Sequence, residues 1–207
     1  MSQQSMIDRY TSGERILHWV TALTFLLLAA SGLAFFHPSM FWLANLLGGG
    51  TWARILHPFI GVVMFVAFIL MALKFWHHNV LSGNDRAWLG KIGDVIANRD
   101  DRVPPIGRYN PGQKILFWVL LASMIVLLVS GIALWRPYFA PSFGIGTIRF
   151  GALMHALSAL ALTWLVFTRL TDGFWVKGST EGMLSGKVSR GWAKAHHPQW
   201  YEEATRK

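Results

Sequence analysis

The sequence predicts an all-α protein: an integral membrane four-helix bundle with its N- and C-termini both in the cytoplasm. Three observations predict it. Four apolar runs stand at about 16–36, 55–76, 115–135 and 148–168, each close to the ~20 residues a helix needs to cross ~30 Å of hydrocarbon. Only 14% of the 207 residues are charged and 53% are hydrophobic, whereas a soluble domain is about a quarter charged. The basic residues are distributed very unevenly about the runs.

In lipid the backbone must satisfy its own hydrogen bonds within each segment, so runs of this length are helices and not open strands. Polar stretches marked by Gly and Pro (37–54, 77–114 and 136–147) separate them, and a polar, basic tail occupies 169–207. There is no internal repeat and no low-complexity tract, so residues 1–207 read as a single membrane domain. Met1–Tyr10 is polar and lacks the charged, apolar, small-residue order of a cleaved signal, so the first run is read as a retained span.

Orientation follows from Lys and Arg. Two precede the first run (Arg9, Arg15), seven lie from Lys74 to Lys114, and seven lie from Arg169 to Lys207. Only Arg54, Arg136 and Arg149 fall on the other side. Sixteen against three places the termini and the long middle connection in the cytoplasm. The net charge of +9 together with 11 Trp points to a membrane-lipid surface and not to nucleic acid. The chain has no Cys, which excludes disulfides, thiolate metal sites and an iron–sulfur cluster held by this chain alone. Any redox cofactor must therefore be carried by His.

Eight His are present. His37, His77, His78, His196 and His197 lie in polar segments or at a helix exit and read as solvated or interfacial. His18, His57 and His155 lie within or at the mouth of apolar runs, where an ionisable group is a functional hypothesis by default. The second and fourth runs both start on the outer side, which puts His57 and His155 at similar depth in the outer half. Two such His on different helices can approach a haem iron from opposite faces; the competing reading is hydrogen bonding to a neighbouring helix. His18 lies near the inner edge of the first run. On the fourth run the face of His155 recurs about 14 residues and ~21 Å further on, at Arg169. A guanidinium has no lone pair to offer iron, so on residues alone this inner site is half built.

Ser31-Gly32, Gly61 and Ser130-Gly131 interrupt the runs with small residues. Close helix packing explains them, and so does a flat macrocycle that needs bare wall. The segment Arg108-Tyr109-Asn110-Pro111-Gly112-Gln113-Lys114 reads as a cytoplasmic turn at the start of the third run, with amide groups able to hydrogen-bond a quinone carbonyl.

Several stretches together resemble one family. They are Arg9-Tyr10-Thr11…Glu14-Arg15-Ile16…His18-Trp19, Ala53-Arg54-Ile55-Leu56-His57-Pro58-Phe59-Ile60-Gly61-Val62-Val63-Met64, Trp76-His77-His78-Asn79 and Gly107-Arg108-Tyr109-Asn110…Gly112-Gln113-Lys114. Trp135-Arg136-Pro137-Tyr138-Phe139-Ala140-Pro141, Trp175-Val176-Lys177-Gly178 and Trp192-Ala193-Lys194…His196-His197-Pro198…Trp200-Tyr201 complete the set. In this order, over nearly the whole chain, they resemble the cytochrome b (gamma) subunit of respiratory formate dehydrogenase. The resemblance implies a bacterial inner-membrane subunit that anchors an iron–sulfur (beta) subunit and a molybdenum- or tungsten-containing catalytic (alpha) subunit. It implies two b haems carrying electrons inward to menaquinone or ubiquinone. The outer haem would be held at His57 and His155, the inner one at His18 and position 169, and the quinone beside the inner haem near Asn110 and Gly112.

The departure is Arg169, where the family has His. Three readings follow. The inner haem is absent or held through His18 alone; or His77 or His78 substitutes; or the inner site is damaged. In each, Arg169 can pair with haem propionates or line the quinone pocket, snorkelling to the interface. The alternatives for the whole chain are the cytochrome b of a hydrogenase or another outer-facing oxidoreductase, and a membrane anchor with one functional haem. A transporter is disfavoured because none of the four runs contains Asp or Glu.

Overall fold

The computed structural model of the chain describes residues 6–97, 99, 102–175 and 180–206, without the side chains of 96 and 169–175. Among the described residues, four helices are long and apolar enough to cross a membrane: Ser12–Phe36, Gly50–Asn79, Pro111–Leu134 and Ile145–Thr168. We number the elements in chain order. Strand β1 is Met6–Asp8, helix α1 is Ser12–Phe36, and α2 is Gly50–Phe75. Two short helices, α3 (Gly83–Leu89) and α4 (Ile92–Ile96), precede α5 (Pro111–Leu134) and α6 (Ile145–Trp175). After them come α7 (Glu181–Ser185), β2 (Lys187–Ser189), α8 (Arg190–His196) and α9 (Pro198–Thr205).

The long helices start earlier than the apolar runs, because polar capping residues are helical as well. At α1, Glu14 Oε2 accepts from the Thr11 N–H at 2.7 Å while Thr11 Oγ1 accepts from the Glu14 N–H at 3.4 Å. This reciprocal capping box starts the helix at Ser12 and not at Ile16. At α5 the same arrangement joins Asn110 and Gln113, at 2.8 and 3.0 Å, and Pro111 fits the first helical position, where no N–H is needed. Helix α2 starts at Gly50 because Gly48 and Gly49, at φ of 86° and 96°, turn the chain out of the preceding 3-10 helix Pro38–Leu47. Helix α6 runs on to Trp175, past the end of its apolar run.

The chain packs as two compact units. One comprises 16–72 and 120–172, the apolar bodies of α1, α2, α5 and α6. Its buried residues combine small ones (Ser31, Ala34, Ala53, Ala67, Ala72, Ser130, Ala133) with larger apolar ones such as Phe25, Phe68, Met124 and Leu162, while Leu23, Leu26, Val66, Leu70, Val129 and Trp164 are exposed. Small residues among the buried ones let helices approach closely, and the many exposed large apolar side chains suit a surface that faces lipid.

The other unit comprises 1–15, 73–119 and 173–207. Here β1 pairs antiparallel with β2, Ile7 opposite Val188, over a small core of Val188, Ala193 and Trp200. The main-chain N–H groups of Arg9 and Tyr10 both donate to the Gly186 carbonyl, at 2.8 and 3.0 Å. Gly186 has φ of 84°, and a Cβ there would lie 2.7 Å from the Tyr10 carbonyl oxygen, so the close approach requires glycine. In the same unit Asp85 caps α3 through Ser82 and takes a 2.7 Å ion pair from Lys114. The Trp118 indole N–H donates to the Asn79 carbonyl at 3.0 Å.

Candidate functional site

Within the apolar unit, four helices converge on two imidazoles. His57 on α2 and His155 on α6 have ring centres 6.2 Å apart and planes inclined at 58°. Ser31 on α1 places Oγ 2.7 Å from His57 Nδ1. Ser130 on α5 places Oγ 2.9 Å from His155 Nδ1. The next residue in each case is glycine. A Cβ at Gly131 would come 3.4 Å from the His155 ring, and one at Gly32 would come 3.9 Å from the His57 ring. Phe35 packs edge-on to His57 at 6.0 Å. With Nδ1 occupied in each ring, Nε2 is the nitrogen left for a ligand.

That spacing can be tested against a metal. Two imidazoles bonded through nitrogen to opposite sides of one ion at about 2 Å each put their ring centres ~6 Å apart. The observed 6.2 Å fits. His57 and His155 are thus spaced as a pair that could hold an iron between them, with glycine instead of side chain beside each ring.

His18 on α1 is half-buried. Its Nδ1 is buried with no hydrogen-bond partner among the described residues, and the Trp19 ring stands edge-on to it at 5.4 Å. Position 169 lies in α6, but the Arg169 side chain is outside the described ones. In the other unit, Asn110 spends its Oδ1 on the Gln113 N–H at the start of α5, and Gly112 beside it is exposed. His77 and His78 sit in the 3-10 turn Trp76–Asn79 with ring centres 4.0 Å apart.

His197 corrects the sequence reading. Expected to be solvated or interfacial, it is 6% exposed and bonded on both nitrogens, Nδ1 to the Gly107 carbonyl at 2.9 Å and Nε2 to Arg9 at 3.3 Å. Burial and then the adjacent Arg9 charge push its pKa down to about 4. The polar tail signalled solvent, and the aromatic residues Trp192 and Trp200 that enclose His197 were the available contrary sign. The serine partners were also missed. Ser31 and Ser130 registered only as small residues, though each directly precedes glycine at the depth of a histidine.

The prokaryotic cytochrome b561 family matches residues 9–186. The chain is 46% identical over 203 residues to the formate dehydrogenase cytochrome b556(fdo) subunit of Escherichia coli K12, covering 98% of this chain and 95% of that one. To the nitrate-inducible formate dehydrogenase cytochrome b556(Fdn) subunit of the same strain it is 43% identical, covering 98% and 94%. To the formate dehydrogenase cytochrome b556 subunit of Haemophilus influenzae it is 41% identical, covering 98% and 85%.

Proposed function

We infer that this chain, which belongs to the prokaryotic cytochrome b561 family, is the membrane-anchoring b-type cytochrome subunit of a formate dehydrogenase complex. The observation that carries the reading is the His57–His155 pair. It sits in the apolar body of four spanning helices, with 6.2 Å between ring centres and a serine on each Nδ1. The relatives at 41–46% identity, all formate dehydrogenase subunits by name, supply the partner reaction.

The whole chain acts as one membrane domain in a bacterial inner membrane, with both termini on the cytoplasmic side, a placement that the uneven distribution of basic residues supports. Haem b bound there supplies a one-electron couple between ferric and ferrous iron. His57 and His155 would hold it in the outer half, with Gly32 and Gly131 beside their rings. An iron–sulfur (beta) subunit docked on the outer face delivers the electrons that a molybdenum- or tungsten-containing (alpha) subunit takes from formate. Electrons leave on the inner side to menaquinone or ubiquinone near Asn110 and Gly112, which draws protons from the cytoplasm. His18 is the sole inner ligand of the family's set that this sequence retains, so the inner haem depends on what stands opposite it.

The test is haem content and formate-to-quinone electron transfer in membranes carrying the assembled complex. His57→Ala and His155→Ala should each remove a haem and abolish transfer to quinone while leaving formate oxidation by soluble dyes. Full haem content and full quinone reduction in His57→Ala would overturn the assignment.

A further inference from the structure

The two serines are placed by a shared local device. Ser31 Oγ lies 2.9 Å from the Leu27 carbonyl one turn back on α1 and 2.7 Å from His57 Nδ1. Ser130 Oγ lies 2.6 Å from the Val126 carbonyl one turn back on α5 and 2.9 Å from His155 Nδ1. A serine hydroxyl has one hydrogen. A main-chain carbonyl can only accept, so in both places that hydrogen goes to the carbonyl. The hydroxyl oxygen must then accept, and the imidazole must donate from Nδ1. This fixes the tautomer of each histidine, with the Nε2 lone pair free to bind a metal.

The arrangement serves more than tautomer choice. A hydrogen bond from the far nitrogen of a ligating imidazole orients the ring and raises its basicity, and a hydroxyl already donating to a carbonyl is the better acceptor for it. Both imidazoles receive the same treatment, one from α1 and one from α5. Ser31 is fully buried and Ser130 nearly so, so water does not replace either contact.

We propose that Ser31 and Ser130 are positioning residues for the outer haem: each accepts the Nδ1–H of His57 or His155 and passes the bond to its own helix carbonyl, which biases the iron toward the ferric state. This rests on the haem assignment above and goes beyond it, because the ligands could bind iron without either hydroxyl.

The experiment uses the full complex in membranes, titrated potentiometrically and examined by paramagnetic resonance. The outer-haem signal is first identified as the one His57→Ala removes; if His57→Ala removes none, the haem assignment itself fails. With the signal identified, Ser31→Ala and Ser130→Ala should retain haem but raise the ferrous-to-ferric ratio at fixed potential threefold to tenfold. The upper end is an upward shift of about 59 mV for one electron. The ferric resonance should shift as well, because the ring orientation is released. Ser130→Thr, which keeps a hydroxyl, should return both readings toward the original. Unchanged potential and resonance in haem-loaded Ser31→Ala and Ser130→Ala overturn the proposal while leaving the haem assignment standing. Loss of haem from both Ser130→Ala and Ser130→Thr also overturns it, since the hydroxyl then has no separate role.

Discussion

Arg9 and Arg108 hydrogen-bond each other's main chain reciprocally: Arg9 Nη2 donates to the Arg108 carbonyl at 3.2 Å, and Arg108 Nη2 donates to the Arg9 carbonyl at 2.6 Å. Two like charges are brought together, and aromatic faces make this tolerable. The Arg9 guanidinium lies 4.8 Å from the Trp200 ring centre and 5.0 Å from that of Trp192, and the Arg108 guanidinium lies 5.5 Å from that of Tyr10. The clasp joins the segment before α1 to the turn before α5.

Removing either arginine should therefore loosen the pairing of β1 with β2. A hydrogen bond from a charged donor contributes about 1.5–3 kcal/mol when its loss strands a buried acceptor. Arg9→Ala and Arg108→Ala should each cost about that much. The double variant should cost less than the two singles added, since they share one clasp. Hydrogen exchange at the Val188 amide reads the effect. Additive costs would show that the two arginines act independently.

His197 makes the same region sensitive to acid. Its Nδ1 meets a carbonyl, so it carries the hydrogen there. Its Nε2 faces an Arg9 N–H, so it is the acceptor. A second proton on Nε2 would point at a donor. The folded pKa of about 4 lies below the ordinary 6.5, so between those values the unfolded tail binds more protons than the folded one. Stability from this group is full above pH 6.5 and is lost as the pH falls toward 4. Proteolysis of the C-terminal segment should quicken over that window. His197→Gln should flatten the response; an unchanged acid sensitivity would assign it to another group.

Lys114 and Asp85 form a buried ion pair, with side chains 13% and 9% exposed. Burial alone would raise the Asp85 pKa, but the hydrogen bonds from Lys114 and Ser82 hold it below the usual value. Lys114→Met strands the carboxylate and should destabilise α3 by about 3 kcal/mol. Lys114→Met combined with Asp85→Asn should recover part of that loss. Hydrogen exchange across Gly83–Leu89 is the measurement, and equal protection in the single and double variants would contradict the pair's role.

The four spans and the His57–His155 pairing were legible in the sequence because both depend on depth, which hydropathy and helical rise encode. The helix starts lie upstream of the apolar runs and were not legible, since Thr11, Asn110 and the Gly48-Gly49 pair lie outside the apolar signal that marks a span. The buried state of His197 was hidden for a related reason. It depends on β1 meeting β2 across most of the chain length, and a polar tail shows no periodicity that announces such a pairing. The serine contacts fall between these cases. Ser31-Gly32 and Ser130-Gly131 are visible as pairs, but the side chain that each meets is set by rotation between helices, which a sequence does not carry.

Arg169 provides the last prediction. His18 on α1 has a buried Nδ1 without a partner among the described residues, and position 169 falls about four turns beyond His155 on nearly the same face of α6. Arginine cannot supply the missing lone pair, so the chain as it stands should carry one haem, bound at the outer pair. Arg169→His should restore a second ligand and raise the haem content to two per chain, with a second step in the redox titration. Combining it with His18→Ala should remove that step and leave the first untouched, which separates a rebuilt inner site from haem bound loosely elsewhere. Two haems per chain in the unaltered protein would refute the half-built inner site, and the search for the fourth ligand would then turn to His77 and His78.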